Sequence, residues 1–301
     1  MITDCHIHIQ PIEMFKPQAL ELMKKKRTNF DDVAEFCRSP KAFLKHLDAS
    51  GIDRAVLINY VAPEVIGFTS GVNQFVADYV KENPKRLISC GSLHPRHTTN
   101  VLADVEQLLR LGIRMIKIHP PHQLLFPNDY LTGVKELEMI YRAAEANAIP
   151  VMFHTGTSIF PGARNKYGDP IYIDDVAVDF PKMKILLAHG GRPLWMHTAF
   201  FLVRRHPNVY LDISVCLNTF RAWTRSRTRH FLEPIGPDRA CRTSRRTSMT
   251  SWLCRSAPKP ESKSLAVRLL IYGLHRPNSG EESGVPDVFG LFQVLHQEQI
   301  R

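Results

Sequence analysis

Residues 150–156 read PVMFHTG and residues 184–191 read KILLAHGG, and this repeated arrangement decides the fold. In both, a short apolar run ends in a histidine that is followed by a glycine within two residues. Apolar runs that do not alternate with polar residues are typical of strands buried on both faces of a parallel sheet. Similar runs occur at residues 2–9, 55–59, 87–92, 114–118 and 209–213.

Segments with helical periodicity separate these runs. Apolar residues recur at spacings of three and four over residues 101–109, 137–144 and 194–205. Strands that alternate with such helices indicate an α/β fold with a parallel sheet. We predict a (β/α)8 TIM barrel, whose eighth strand should fall near residues 240–245. A doubly wound open sheet is the competing architecture.

The composition is that of an ordinary globular protein. The chain has 301 residues, of which 44% are hydrophobic and 23% charged, and a single α/β barrel typically needs about 250 residues. No apolar run approaches the roughly 18 residues of a membrane span, and the N-terminus lacks the pattern of a signal peptide. We therefore expect a cytoplasmic protein without membrane contacts, whose six cysteines are reduced thiols.

The positive charge is concentrated in the C-terminal part. Residues 1–220 hold 25 Lys and Arg against 22 Asp and Glu, whereas residues 221–301 hold 14 against 7. Residues 221–229 read RAWTRSRTR and residues 239–249 read RACRTSRRTSM, and such stretches cannot form a buried barrel strand. We predict a barrel over residues 1–220 and an atypical Arg- and Ser-rich region over residues 221–301.

Histidines mark a candidate metal site. His6 and His8 are two residues apart in the first predicted strand, so their side chains point to the same face. His119, His154 and His189 end three further strands, and the carboxyl ends of barrel strands meet at the active-site mouth. Because neutral imidazoles are good ligands for Zn²⁺ and similar ions, these histidines predict a metal site. Two solvated histidines on the first strand, and structural roles for His119 and His189, are the alternatives.

The order of the motifs resembles the amidohydrolase-related family of the amidohydrolase superfamily, which includes aminocarboxymuconate-semialdehyde decarboxylase. The resemblance covers about residues 1–220 and rests on DCHIH, GIRMIKIHPP, PVMFHTG, YGDPIYIDDVA, KILLAHGGRP and HPNVYLDIS. It implies that His6, His8 and His154 are metal ligands and that His189 is the catalytic histidine. Lys117 stands where some superfamily members carry a bridging carbamylated lysine. The His-Pro that follows it favours the mononuclear branch, so we interpret Lys117 as a structural residue or as one that supports the metal ligands without binding the ion.

The implied function is hydrolysis of a small organic substrate by a metal-activated water, with Zn²⁺ as the expected divalent ion. Decarboxylation of a small aromatic or unsaturated acid is the alternative. We assign Arg192 to a substrate carboxylate, although a surface role is equally compatible, and His119 to the lining of the substrate pocket. The expected partner is a small molecule, and a homodimer is compatible with the sequence.

The C-terminal region departs from the family pattern. The family ends its eighth strand with an Asp that completes the metal site. Here residues 231–239, FLEPIGPDR, resemble the run before that strand, but ACRTSRR follows and the next acid is Glu261. We hypothesise a reading-frame slip close to Arg239, which the coding DNA would decide. Without this Asp and strand, we expect weak metal retention and little activity.

Two other classes of function are compatible with these features. A catalytically impaired barrel kept as an interaction partner would explain the missing Asp. A nucleic-acid binder could use the arginines of residues 221–301 to contact phosphates. The chain contains no recognised nucleic-acid-binding motif, so we expect no nucleic-acid partner.

Overall fold

The computed structural model of the protein describes residues 2–214. Within this range seven parallel strands form one sheet in the order of the sequence, each pairing with the next. The strands are β1 (Thr3–Ile7), β2 (Arg54–Ile58), β3 (Leu87–Gly91), β4 (Met115–Ile118), β5 (Val151–His154), β6 (Ile185–Ala188) and β7 (Val209–Asp212). Each lies within one of the seven predicted runs, except that β2 begins at Arg54, one residue before the predicted run 55–59. The open doubly wound alternative is wrong, because its strand order would reverse at a switch point.

Helices connect the strands, as the periodicity predicts. The α-helices are α1 (Pro17–Lys26), α2 (Phe30–Arg38), α3 (Pro40–Ala49), α4 (Gly71–Val80), α5 (Val101–Arg110), α6 (Pro120–Gln123), α7 (Lys135–Ala146), α8 (Ile173–Asp179) and α9 (Met196–Arg205). The α5 helix begins where it does because the Asn100 side chain accepts a hydrogen bond of 3.1 Å from the backbone N–H of Ala103. The predicted helix over residues 194–205 begins at Met196.

The core lies between the strands and the helices that cover them. All four residues of β4, β5 and β6 are buried, which is why these runs show no polar alternation. The α7 helix buries Leu137, Ile140, Tyr141 and Ala144, the face that its periodicity predicts. Burying a large apolar side chain contributes about 1.5–3 kcal/mol, so this face holds α7 on the sheet.

The sheet curls so that its first and last described strands approach each other. β1 and β7 are the outer strands within residues 2–214, yet the imidazole of His6 on β1 contacts the carboxylate of Asp212 on β7. This contact requires the curvature of a barrel, and all seven strands direct their carboxyl ends to the same mouth. The predicted eighth strand near residues 240–245 and the predicted boundary at residue 220 lie outside the described residues.

Two further properties concern the same range. Among residues 2–214, no helix has the length and apolarity needed to cross a membrane. Cys5, Cys37 and Cys90 are buried free thiols, in agreement with the predicted reduced state. The other three cysteines lie outside the described residues.

Candidate metal centre

The two histidines of β1 form the centre of the site. The Nε2 atoms of His6 and His8 lie 3.1 Å apart. The Gln10 side-chain amide lies 3.3 Å from Nδ1 of His8, so the opposite ring nitrogen faces His6. Two nitrogen ligands that are each about 2.0–2.1 Å from a zinc ion are separated by roughly 3–3.5 Å. The separation of this pair therefore fits two ligands of one ion.

Asp212 holds His6 in this orientation, and its role was not predicted from the sequence. It ends β7 and contacts Nδ1 of His6 through Oδ2, while its Oδ1 accepts a hydrogen bond of 2.8 Å from the backbone N–H of Ser214. Burial by itself raises the pKa of Asp212, but His6 more than offsets this and holds the pKa well below its usual range. A carboxylate on one ring nitrogen fixes the tautomer that leaves the other for a metal.

His154 ends β5 next to this pair but does not complete it. Its ring lies 4.9 Å from that of His189 and stacks on His119 at 4.0 Å. Its Nε2 is buried without a hydrogen-bond partner. Within residues 2–214, the donor atoms of His6, His8 and His154 do not all lie within 4.8 Å of one another. The predicted third ligand is thus nearby, and a shift of its side chain is needed to join the other two.

His189 ends β6 and stands over the His6 ring, with their centroids 4.5 Å apart. Its Nδ1 lies 3.0 Å from the Ser214 hydroxyl. Burial first, and the nearby His6 second, lower the pKa of His189 well below its usual range, so the imidazole is neutral. Its φ of 66° is in the left-handed region, which costs a non-glycine residue about 1–3 kcal/mol and is typical of functional sites.

A threonine joins the ends of β5 and β6. The Thr155 hydroxyl donates a hydrogen bond of 2.7 Å to the carbonyl of Ala188 and accepts one of 2.9 Å from the N–H of Gly191. These bonds connect the backbone beside His154 to the backbone on both sides of His189. This threonine is part of the PVMFHTG motif, but its function was not predicted from the sequence.

Arg192 lies close to the histidines, as its assignment to a substrate carboxylate requires. It follows the glycines after His189, and its charge contributes to the lowered pKa values of His154 and His189. Its backbone is tightly packed, because a Cβ on Gly156 would lie 2.1 Å from the Arg192 carbonyl oxygen. Gly156 therefore allows the β5 and β6 loops to meet at this residue.

Aromatic side chains form one wall of the site. His119 is buried between the rings of His154 and His122, with the His122 centroid 3.8 Å away and the Tyr60 centroid 4.6 Å away. Hydrogen bonds connect His122 Nδ1 to the Tyr60 hydroxyl at 3.3 Å and His122 Nε2 to the Ser158 hydroxyl at 2.7 Å. Tyr60, His122 and Ser158 were not predicted. The one-turn spacing of His119 and His122 is the only signal in the sequence that could have identified one of them.

Lys117 lies inside the barrel beneath the histidines. It is fully buried, and its Nζ has no hydrogen-bond partner. Burial lowers the pKa of Lys117 to about 8. Its positive charge in turn contributes to the lowered pKa values of His8, His119, His154 and His189. Neutral imidazoles, some with unsatisfied buried nitrogens, are a donor set that suits a divalent transition metal.

Comparisons with known proteins agree with this architecture. The family model described as amidohydrolase matches residues 3–241. An uncharacterized TIM-barrel protein from Bordetella bronchiseptica is similar at 23% identity over 75% of this chain and 81% of that one, with a TM-score of 0.58. The 5-carboxyvanillate decarboxylase of Sphingomonas paucimobilis is similar at 16% identity over 73% and 83%, with a TM-score of 0.51. At these identities the two structures show the fold, and the family match shows that the chain belongs to the amidohydrolase family of metal-dependent TIM-barrel enzymes.

Proposed function

We propose that the protein is a metal-dependent hydrolase of a small organic substrate, with the ion held by His6, His8 and His154. The observation that carries the proposal is the His6–His8 pair, whose Nε2 atoms face each other at 3.1 Å. Asp212 and Gln10 orient the two rings from their Nδ1 sides. Zn²⁺ is the ion that we expect, because it prefers nitrogen ligands of this kind.

The ion would polarise a substrate carbonyl and lower the pKa of a water molecule. The residues of the chain carry the remaining steps. His189 is neutral and close to His6, so it can take a proton from one reacting group and return it to another. Arg192 can hold a substrate carboxylate through two parallel hydrogen bonds. His119 forms part of the wall against which the substrate would pack.

Asp212 does not replace the Asp expected at the end of strand eight. It lies on the Nδ1 side of His6, away from the Nε2 that faces His8. Asp212 therefore does not supply the anionic ligand that the eighth-strand Asp would provide. This is the reason to expect weak metal retention from the chain as its sequence stands.

Decarboxylation of an aromatic or unsaturated acid is the second candidate. The likeness to a 5-carboxyvanillate decarboxylase favours it, and an arginine beside the histidines can hold a substrate carboxylate. In this case the neutral His189 would first take up a proton from a substrate hydroxyl or from solvent and then pass it to the carbon that loses CO₂.

One assay separates the two candidates. The full chain is loaded with Zn²⁺ or Mn²⁺ and mixed, in molar excess over the substrate, with each member of a panel of lactones and a panel of aromatic acids. Ring-opened product and CO₂ are then measured. His189→Gln should abolish the product, whereas His206→Gln should not, because His206 pairs with Asp174 outside the site. Measurable turnover that is equal in wild type and His189→Gln would exclude the proposed role of His189.

Restoring the eighth strand would test whether the missing Asp limits metal binding and activity. Where the coding DNA contains a shifted frame after Arg239 that encodes an apolar strand ending in Asp, that version should retain metal more tightly and turn over faster. Near-stoichiometric zinc with ordinary turnover in the chain as it stands would contradict our expectation. No gain on restoration would instead favour a barrel kept as an interaction partner.

A further inference from the structure

Three metal-binding side chains meet outside the site described above. Glu64 lies on the loop after β2, and His94 and His97 lie on the loop after β3. Their donor atoms all lie within 4.8 Å of one another, and within residues 2–214 no other group of three His, Cys, Asp or Glu side chains meets this criterion. Each carboxylate oxygen faces one imidazole, with Oε1 2.5 Å from Nε2 of His97 and Oε2 3.7 Å from Nε2 of His94.

The burial of His94 is not explained by its contact with the Glu64 carboxylate alone. Only 3% of its side chain is exposed, and its Nε2 is buried without a hydrogen-bond partner. A buried polar atom left in this way costs about 1–3 kcal/mol. The nitrogen is directed at the Glu64 carboxylate, but 3.7 Å is too long for a hydrogen bond. A ligand between the two groups would satisfy both.

The spacing fits an ion that takes nitrogen and oxygen donors. Two ligand atoms that are each about 2.1 Å from a tetrahedral Zn²⁺ lie about 3.4 Å apart, close to the 3.7 Å between Glu64 and His94. The 2.5 Å contact to His97 would have to lengthen. This needs only a small movement, because Glu64 and His97 are 42% and 47% exposed and free to adjust.

Coordination would also change the hydrogen bonding of His94. Its Nδ1 now accepts a long hydrogen bond of 3.3 Å from the N–H of Arg96, which places the proton of the neutral ring on Nε2. Binding through Nε2 moves that proton and gives up this bond, at a cost of about 1 kcal/mol. Burial lowers the pKa of His94 to about 4. Near neutral pH the doubly protonated ring is therefore scarce, and protonation does not compete with metal binding.

We propose that Glu64, His94 and His97 form a second site for a divalent transition metal, separate from the one at His6 and His8. Two histidines and one glutamate leave a fourth position for water. The ion would join the loops after β2 and β3, which Gln123 already connects through 3.0 Å hydrogen bonds to the carbonyls of Val61 and Leu93. Its effect would be to stiffen this side of the mouth.

Zinc stoichiometry tests the proposal. The full chain is freed of metal with a chelator and dialysed against a fixed free zinc concentration, and bound zinc per chain is measured by mass spectrometry. Glu64→Gln and His97→Gln should each lose one zinc per chain relative to wild type. Both positions are partly exposed, so the variants should fold. Glu138→Gln, which removes a surface carboxylate paired with Arg142, should lose none.

The first metal site is distinguished by its own variant. At a free zinc concentration high enough to fill the weaker first site, His8→Gln should lose the zinc held with His6, and its loss should add to that of Glu64→Gln in the double variant. The proposal is wrong if Glu64→Gln and His97→Gln bind as much zinc as wild type, or if His8→Gln alone removes all of it. Because these outcomes need no turnover, failure of the second site and failure of the proposed hydrolase are separate results.

Discussion

Replacing Asp212 with Asn should weaken zinc binding without unfolding the protein. The carboxylate contacts Nδ1 of His6, and both side chains are almost completely buried, at 2% and 3% exposure. Asn keeps the shape and can still accept the 2.8 Å hydrogen bond from the N–H of Ser214. However, Asn lacks the negative charge of Asp212. That charge fixes the tautomer of His6 and makes the Nε2 atom of His6 a stronger metal ligand.

The expected magnitude follows from the position of Asp212 behind a metal ligand. Removing such a partner typically lowers metal affinity by about 10–100-fold, which is about 1.4–2.7 kcal/mol of binding free energy. Truncation to Ala should cost more, because it also leaves the His6 nitrogen and the Ser214 N–H without their buried partner.

The assay is competition for Zn²⁺ with a chromophoric chelator, with circular dichroism as a check on folding. Asp174→Asn is the matched control, because Asp174 also pairs with a histidine, His206, at 2.7 Å but lies away from the site. Its zinc affinity should equal that of wild type. The reasoning is refuted if a folded Asp212→Asn binds zinc as tightly as wild type, or if Asp174→Asn weakens it equally.

Three further outcomes concern stability. In the presence of a chelator, the free energy of unfolding should fall as the pH drops below about 6.5. The histidines of the unfolded state take up protons there, whereas four buried histidines of the folded state do not, because burial lowers the pKa values of His8, His119, His154 and His189. An unchanged urea midpoint between about pH 7.5 and pH 5.5 would argue against this. Lys117→Met should raise the free energy of unfolding by about 1–3 kcal/mol, since burial lowers the pKa of this lysine from 10.5 to about 8; a destabilised variant would show that the ammonium is compensated. Gly156→Ala should cost at least about 1–3 kcal/mol more than Gly133→Ala, because both have positive φ but only Gly156 lacks room for a Cβ; equal thermal shifts would contradict this.

The fold could be predicted from the sequence because its signals are local. The seven strands are short apolar runs, and α7 buries the face that its spacing predicts. The histidines at strand ends could be assigned to one mouth, because parallel strands all end on the same side of a sheet. His6 and His8 could be paired because alternate residues of a strand share a face.

The remaining features depend on contacts that local patterns do not encode. The link from Asp212 to His6 spans most of the described chain and arises only when the sheet curls. The Glu64 cluster combines two loops whose separation in sequence gives no hint of contact. His154 illustrates a limit of a different kind, since its position in the sequence predicts a ligand but side-chain packing against His119 decides where its nitrogen lies.

The hydroxyl of Thr155 has a consequence for how ligands influence one another. Because it joins the end of β5 to the turn after β6, we expect a shift that brings His154 onto the ion to move His189 as well. Two binding events that share one movement are thermodynamically reciprocal. A substrate that draws His189 into position should therefore raise the affinity for the metal, and bound metal should raise the affinity for the substrate by the same factor. Thr155→Val, which cannot make either bond, should reduce that mutual enhancement more than it reduces either affinity alone.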